Sequence, residues 1–128
     1  MVSNQRRRRR RGQDGMVTAE AALVIPVLLA VTLALSWAIA VGAAQVRLID
    51  AAREGARLAA RGESSGSVEA AVQRIGPPGS RAAVSVADGT VTVQVEAHVS
   101  PGLPLLGDLP GVSLESQSVA ASEETVLP

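Results

Sequence analysis

The sequence predicts an α+β protein: a long N-terminal transmembrane helix that continues into a stalk, then a short helix packed on a small antiparallel sheet of about three strands. Residues 21–44 are apolar and carry no charge, and a helical pattern continues from there to Gly62, as expected of a helix that crosses a membrane and emerges. Around Asp88-Gly89, apolar and polar residues alternate over residues 82–99, which indicates a hairpin. We therefore expect residues 1–15 to form a basic cytoplasmic leader, residues 16–61 the membrane helix and stalk, and residues 62–128 a small extracytoplasmic module.

The composition limits what that module can be. The 128 residues include no cysteine, tyrosine or phenylalanine and a single tryptophan, so neither disulfides nor aromatic packing can strengthen a small core. One histidine, His98, and no cysteine leave too few ligands for a metal centre and no nucleophile and base set. We expect no enzymatic activity, no metal and no cofactor.

Charge is concentrated at the N-terminus, where six of the twelve arginines precede Gly15. Each arginine near an anionic cytoplasmic leaflet gains about 1 kcal/mol, and the positive-inside rule predicts a cytoplasmic N-terminus with the module outside. Four arginines on the other side of the span oppose this assignment but are less dense. No base-reading residues are interleaved with the block, so nucleic acid is not an expected partner. The block consists of Arg6, Arg7, Arg8, Arg9, Arg10 and Arg11.

The apolar run is long enough to span a bilayer, since residues 21–44 would extend about 36 Å as a helix. Pro26 removes one backbone donor and clashes with the carbonyl of Ala22, which predicts a kink that membrane helices tolerate. Hydroxyls of Thr32 and Ser36 can bond to preceding carbonyls of the same helix. Gly42-Ala43-Ala44 is compatible with secretory cleavage after Ala44, although the run exceeds the usual apolar length of about 7–15 residues.

Small residues recur every four positions after the span. Such rows let another helix approach closely, although an alanine-rich composition produces them as well. The rows are Ala51, Gly55 and Ala59, and Ala52, Ala56 and Ala60.

The junction between the basic block and the span combines Gly15, Met16 and Glu20. A short basic leader, a glycine, a hydrophobic residue and glutamate at the fifth following position resemble the class III signal of type IV pilins. Val17-Thr18-Ala19-Glu20-Ala21-Ala22-Leu23-Val24-Ile25-Pro26-Val27-Leu28-Leu29 resembles more closely the TadE-like minor pilins, or pseudopilins, of Tad/Flp-type type IV pilus systems. The later Ala44-Gln45-Val46-Arg47 and Asp50-Ala51-Ala52-Arg53-Glu54-Gly55-Ala56-Arg57 resemble the actinobacterial members.

The resemblance implies that a membrane prepilin peptidase cuts between Gly15 and Met16, so that residues 1–15 form a prepilin-type leader and this chain is the substrate. It also implies a minor structural subunit that takes part in Tad pilus assembly and adhesion. The implied partners are the prepilin peptidase, other pilin subunits, the inner-membrane assembly machinery and membrane lipid. The implied location is the cell membrane, with incorporation into a pilus, and helix pairing is assigned to Met16, Glu20 and Pro26.

The position of Glu20 next to a membrane span requires an explanation, since placing a carboxylate at the bilayer centre costs about 2.5–3.5 kcal/mol. Cleavage would expose an ammonium on Met16 that offsets this charge in a poorly hydrated packing site, and the positive end of the helix dipole also favours an anion there. Alternatively, Glu20 extends to the cytoplasmic headgroups. Two alternative functions stay open: a single-pass anchored envelope protein with a small binding module, and a protein secreted after Ala44.

In the module, Ser67 is the expected N-cap of a helix that ends at Gly76-Pro77-Pro78. Apolar positions 82, 84 and 86 and then 91–99 predict two strands with one buried face, and residues 112–121 a third. The short helix is expected to cover that face, and the leucines of the proline-rich segment 100–111 to fold over the sheet edge. His98 is expected on the exposed polar face beside Glu96.

Overall fold

The computed structural model describes residues 2–102 and 110–123, with side chains from residue 12 onward. Two compact units are present, Met1–Ala38 and Ile39–Pro128. The elements in chain order are α1 (Val2–Ala60), α2 (Ser65–Ile75), β1 (Arg81–Ala87), β2 (Thr90–Val99) and β3 (Val112–Ala121). The predicted α+β fold, with a long N-terminal helix, a short helix and a three-stranded antiparallel sheet, is confirmed.

Helix α1 contains Pro26 and ends at the predicted breaker. The hydroxyls of Thr32 and Ser36 donate to the carbonyls four residues earlier, each at 2.8 Å, which confirms their local role. Gly62 has φ 80°, and its N–H donates to the carbonyl of Ala59, while that of Glu63 donates to the carbonyl of Leu58. These two bonds form a Schellman motif, which satisfies the last carbonyls of the helix.

Helix α2 begins three residues earlier than predicted. Its N-cap is Ser64, whose hydroxyl oxygen accepts the N–H of Ser67 at 3.2 Å. The predicted cap, Ser67, is wrong, because the Schellman turn at Gly62 delivers Ser64 in the extended conformation that a cap requires. The C-terminus is as predicted, since Gly76 follows the last helical residue and donates its N–H to Val72.

The sheet has the strand order β1-β2-β3. Asp88 and Gly89 lie between the closing pair Ala87 and Thr90 with φ of 51° and 70°. Positive φ at both central residues is the signature of a type I′ turn, whose twist suits a two-residue hairpin. The hairpin and the third strand are therefore confirmed.

The core lies between the sheet and two helices. Residues from the second half of α1, from α2 and from β2 form one buried cluster. A Cβ added at Gly55 would meet methyl groups of Val72 and Val93 at 3.2 Å and of Val68 at 3.4 Å, so α1, α2 and β2 approach closely there. The cluster consists of Leu48, Ala51, Ala52, Ala56, Val68, Val72, Val91, Val93, Val95 and Ala97.

The sequence predicted that α2 alone covers the buried face of the sheet, whereas in the structure α2 and residues 44–60 of α1 cover it together. The small-residue rows of α1 pack against the module of their own chain, with Ala51 and Ala52 fully buried. Close approach by another helix does occur, at Gly55, but that helix is α2.

One expectation for the hairpin is wrong in part. Val84 and Val86 align with the buried Val93 and Val91 and therefore share their face, yet they are 37% and 67% exposed. The buried cluster includes the β2 residues but neither of these two valines. The buried face is therefore essentially that of β2, and β1 extends past the cover.

Some predictions lie outside the described residues. The leucines of the segment between β2 and β3, Leu103, Leu105, Leu106 and Leu109, belong to this group. The backbone of the arginine block is helical, but its side chains also lie outside the described part.

Candidate functional site

Gly15, Met16 and Glu20 lie on one exposed stretch of α1. Met16 is 70% exposed, and Glu20 is exposed as well. Residues four apart in a helix share a face, about 6 Å apart along the axis, so Met16 and Glu20 are brought together. Pro26 follows six residues after Glu20 and projects from a different face, so the structure does not bring it to the same surface.

No contact among the described residues requires a glycine at position 15. A Cβ added there would meet no atom within 4 Å, and the same is true of Gly12. Glycine inside a helix costs about 1 kcal/mol relative to alanine. The reason for glycine at the junction therefore lies in its backbone or in contacts with another molecule.

The helix after the junction carries a continuous apolar surface. Its most apolar 18-residue window has a mean hydropathy of 2.5 and no buried residue, so by length and composition the helix can cross a membrane. Fully covering one leucine or isoleucine side chain is worth about 1.5–3 kcal/mol, so leaving this surface in water would be very unfavourable. Its large exposed side chains include Leu23, Val24, Ile25, Val27, Leu28, Leu29, Val31, Leu33, Leu35 and Ile39.

Arginines beyond the span form local pairs. Nη1 of Arg53 lies 3.9 Å from Oδ1 of Asp50, and Nη1 of Arg57 lies 3.5 Å from Oε2 of Glu54. Exposed pairs of this kind contribute about 0–1 kcal/mol, so the pairs have little effect on the stability of the helix. Acidic neighbours also count for little in the positive-inside rule, so these contacts leave the topology prediction as it was.

The outer face of the sheet carries polar side chains from all three strands. His98 is exposed there, as predicted, and its Nδ1 lies 3.2 Å from the hydroxyl of Ser113. An open groove of 340 Å³ runs along this face and is lined in part by Arg81, Glu96, His98, Ser113 and Glu115. Only the strand pairing places Ser113 opposite His98, so the sequence alone did not reveal this contact.

Among the residues that the structure describes, the pair of His98 and Ser113 has no third group of a catalytic triad. The hydroxyl of Ser113 contacts Nδ1 of His98. Nε2 of His98 faces Gly111, and a Cβ added to Gly111 would collide with this nitrogen. A triad needs the hydroxyl on one ring nitrogen and an orienting acid on the other. Within residues 2–102 and 110–123, no three His, Asp or Glu side chains are grouped to hold a metal ion.

A comparison with protein families finds a match in the segment of α1 that contains Gly15, Glu20 and the exposed apolar stretch. Residues 15–57 match the family model described as TadE-like protein. This segment is TadE-like. The match begins at the predicted cleavage residue and ends within the part of α1 that packs on the sheet, so it covers about a third of the chain. No curated protein and no solved structure matches.

The TadE-like match supports the predicted resemblance, and the actinobacterial subtype stays a prediction. Residues 15–57 are similar to TadE-like proteins, and the helix that carries them is long and apolar enough to cross a membrane. Helix α2 and the sheet lie beyond the matched residues.

Proposed function

We propose that this chain is a minor pilin-like subunit of a Tad-type pilus, without enzymatic activity, cut by a membrane prepilin peptidase between Gly15 and Met16. The mature helix then joins other pilin subunits through the inner-membrane assembly machinery. The observation that carries the proposal is that Gly15, Met16 and Glu20 directly precede an apolar stretch of α1 whose most apolar 18-residue window has no buried residue, within the TadE-like residues 15–57.

The local energetics of α1 favour cleavage at this position. A peptidase needs the scissile backbone to leave the helix, and Gly12 and Gly15 are the residues with the weakest helix preference near the junction. A Cβ added at either glycine would meet no described atom within 4 Å, so local unwinding there disturbs no packing among the described side chains. The requirement for glycine then comes from the peptidase rather than from the fold.

Cleavage changes the electrostatics of the helix end. It removes six arginines and Asp14, which leaves six arginines against eleven acids, a net charge of −5 before the new N-terminus is counted. The ammonium on Met16 is then about one helical turn from Glu20. Between packed subunits these two charges offset each other's loss of hydration, and the preferred partner of Glu20 is the Met16 ammonium of a neighbouring subunit.

Processing is tested with two glycine variants of the full chain, expressed with and without the peptidase. Gly15→Leu is expected to abolish the shift in electrophoretic mobility, whereas Gly12→Leu, equally open and in the same helix, is expected to be processed normally. N-terminal sequencing of the wild-type product should begin at Met16. An intact arginine block would favour the plain membrane anchor, and a product beginning at Gln45 would favour secretion; either result contradicts the proposal.

Assembly is tested separately through Glu20. Glu20→Gln keeps the size of the side chain and removes its charge, so cleavage should persist while the amount of subunit recovered in sheared pili falls. Thr32→Val serves as the control, because its hydroxyl donates to the carbonyl of Leu28 within its own helix and both residues remain after cleavage. Equal recovery of the two variants would remove the role proposed for the carboxylate.

Topology is tested by labelling, since the chain has no cysteine of its own. Ser113→Cys, on the exposed face of β3, should react with a membrane-impermeant maleimide in intact cells. Gln13→Cys in a host without the peptidase should react only after the membrane is opened. The opposite pattern would place the module in the cytoplasm and contradict the proposal.

A further inference from the structure

Among the described residues, each edge strand of the sheet has a stretch of backbone without a hydrogen-bond partner on its outer side, and the two stretches lie toward the same end. The register aligns Ser85 of β1 with Thr92 of β2 and Val119 of β3. The free stretches of β1 and β3 therefore lie at one level, next to the Asp88-Gly89 turn.

On β1, a side chain from α2 marks where the free stretch begins. A carboxylate oxygen of Glu69 accepts the N–H of Ala82 at 2.8 Å, so the backbone of Ala82 faces away from β2. Backbone direction alternates along a strand, so Val84 and Val86 also turn their N–H and C=O groups outward. Within the described part of the chain, no side chain caps these two residues as Glu69 caps Ala82.

On β3, a side chain from α1 does the same. The amide nitrogen of Gln45 donates to the carbonyl of Glu115 at 3.2 Å, so Glu115 faces away from β2, and by alternation so do Gln117 and Val119. Val119 is 59% exposed. Arg81, next to the capped Ala82, aligns through Glu96 with Glu115. Both caps therefore sit at one end of the sheet. Toward the other end, Val84 and Val86 on β1 and Gln117 and Val119 on β3 have no outward hydrogen-bond partner among the described residues. The next contact of the β3 edge is the N–H of Glu123, which donates to the carbonyl of Ala60 at 3.2 Å.

The two edges carry opposite charges at the capped end. Arg81, Glu96 and Glu115 form one row across the outer face, with the arginine on the β1 edge and a glutamate on the β3 edge. A second copy displaced sideways in the plane of the sheet would bring its Arg81 beside this Glu115. Opposite charges on neighbouring strands attract each other, so the two edges are complementary.

We propose that the module pairs edge to edge with a second copy of this chain, with β1 of one copy hydrogen-bonded in parallel to β3 of the next. The pairing would use the free backbone groups of Val84 and Val86 and of Gln117 and Val119. It would also place the exposed side chains of Val84 and Val86 against the neighbour's sheet. This head-to-tail contact is heterologous, so it can continue along a row of subunits or close into a ring.

The direction of α1 favours this arrangement over a symmetric one. Sideways displacement keeps residues 44–60 of α1 pointing the same way in both copies, as two chains anchored in one membrane require. Antiparallel β1-to-β1 pairing in a continuous sheet needs a two-fold axis perpendicular to the sheet, which would reverse that direction. The occupant of each edge is therefore the opposite edge of a neighbour, and the contact is additional to any pairing through the N-terminal helix.

Disulfide cross-linking in native membranes tests the proposal, because the natural chain contributes no cysteine. Ser85→Cys and Val119→Cys variants, carrying different tags and co-expressed, should form a mixed dimer on mild oxidation, and neither variant should dimerise alone. Within one chain the two positions are two strands apart, about 10 Å, beyond the reach of a disulfide at about 7 Å. The double variant should therefore give a ladder of multimers.

Ser113→Cys paired with Ser85→Cys is the matched control, since Ser113 lies on the same strand and face as Val119 but six residues away, about 20 Å. Cross-linking of the control at the same level, or dimers of Ser85→Cys alone, would overturn the proposal. So would the absence of the mixed Ser85–Val119 dimer.

Charge reversal separates a specific contact from a folding effect. In the double-cysteine background, Arg81→Glu or Glu115→Arg should lower the cross-linked fraction by about two- to fivefold, and the combined reversal should restore it. Failure of the combined variant to recover would contradict the charge pairing. The measurement is repeated in a host without the peptidase, so a negative result here is distinguishable from failure of the processing proposal.

Discussion

Two stretches of the same helix have similar small and aliphatic residues but opposite environments. Residues 21–43 carry no charge on any side, and Leu35 among them is 61% exposed; residues 44–60 carry charges on one side, and Leu48 among them is fully buried. A helix that is apolar all round suits lipid, whereas one that is apolar on a single stripe suits a protein core. The distribution of charge around the helix, rather than its mean apolarity, therefore distinguishes the two stretches.

The largest expected effect comes from shortening a leucine in each stretch. Leu48→Ala should lower the free energy of unfolding of the module by about 3 kcal/mol, since it leaves a cavity in the core. Leu35→Ala should change it by less than about 0.5 kcal/mol. Hydrogen exchange of the β2 amides in the full chain in detergent measures both. Equal losses would mean that residues 44–60 are not part of the module's core.

Glycines in the two stretches should respond with opposite signs. Gly55→Ala places a methyl group 3.2 Å from Val72 and Val93, and we expect a net destabilisation of about 1 kcal/mol, because overpacking exceeds the gain in helix preference. Gly42→Ala meets nothing within 4 Å and should be neutral or stabilising. Thermal unfolding of the two variants, followed by the same exchange measurement, decides the sign. A stabilising Gly55→Ala would show that the three neighbouring valines can move apart.

The burial of residues 44–60 also depends on α2, which packs against them, and therefore on how α2 begins. Ser64→Ala removes the oxygen that accepts the N–H of Ser67, and the loss of such a cap costs about 1 kcal/mol. Ser67→Ala is the matched control, expected to cost clearly less, because its own hydroxyl contacts only Ser64. Urea unfolding of the two variants distinguishes them, and a larger loss in Ser67→Ala would restore the cap predicted from the sequence.

The smallest effect is expected from the charges on the outer side of the second stretch. Arg53→Ala breaks an exposed pair 3.9 Å long and should change the free energy of unfolding by no more than about 0.3 kcal/mol. Gln45→Ala, which removes a bond to the β3 edge, gives the comparison within the same stretch. A loss above about 1 kcal/mol for Arg53→Ala would show that this charge stabilises the fold.

Much of the fold could be predicted because its signals are local. Asp88-Gly89 between alternating strands specified the hairpin, and Gly62 specified the end of α1. The Ser64 cap could not be chosen in the same way, since serines at 64, 65 and 67 all precede the apolar positions of α2. The choice depends on how the Schellman turn directs the chain into the next helix.

The contacts discussed for the candidate site and the sheet edges also fall into those that the sequence could predict and those that it could not. Gly15, Met16 and Glu20 follow one another along a helix, so their common placement could be predicted, and the TadE-like match begins at the same glycine. The pairs of Glu69 with Ala82 and of Gln45 with Glu115 could not, because they join elements whose positions depend on the whole packing.

The sequence by itself determined that an apolar helix with a glycine and a glutamate at its head precedes a small module with period-two strands. Chain neighbours within one or two helical turns, or across a tight turn, are enough to specify such features. Only the tertiary structure decided that residues 44–60 belong to the core, that Val84 and Val86 remain uncovered, and which part of each sheet edge is free. Those outcomes depend on contacts between residues as far as 70 positions apart, which the pattern of residues along the chain does not encode.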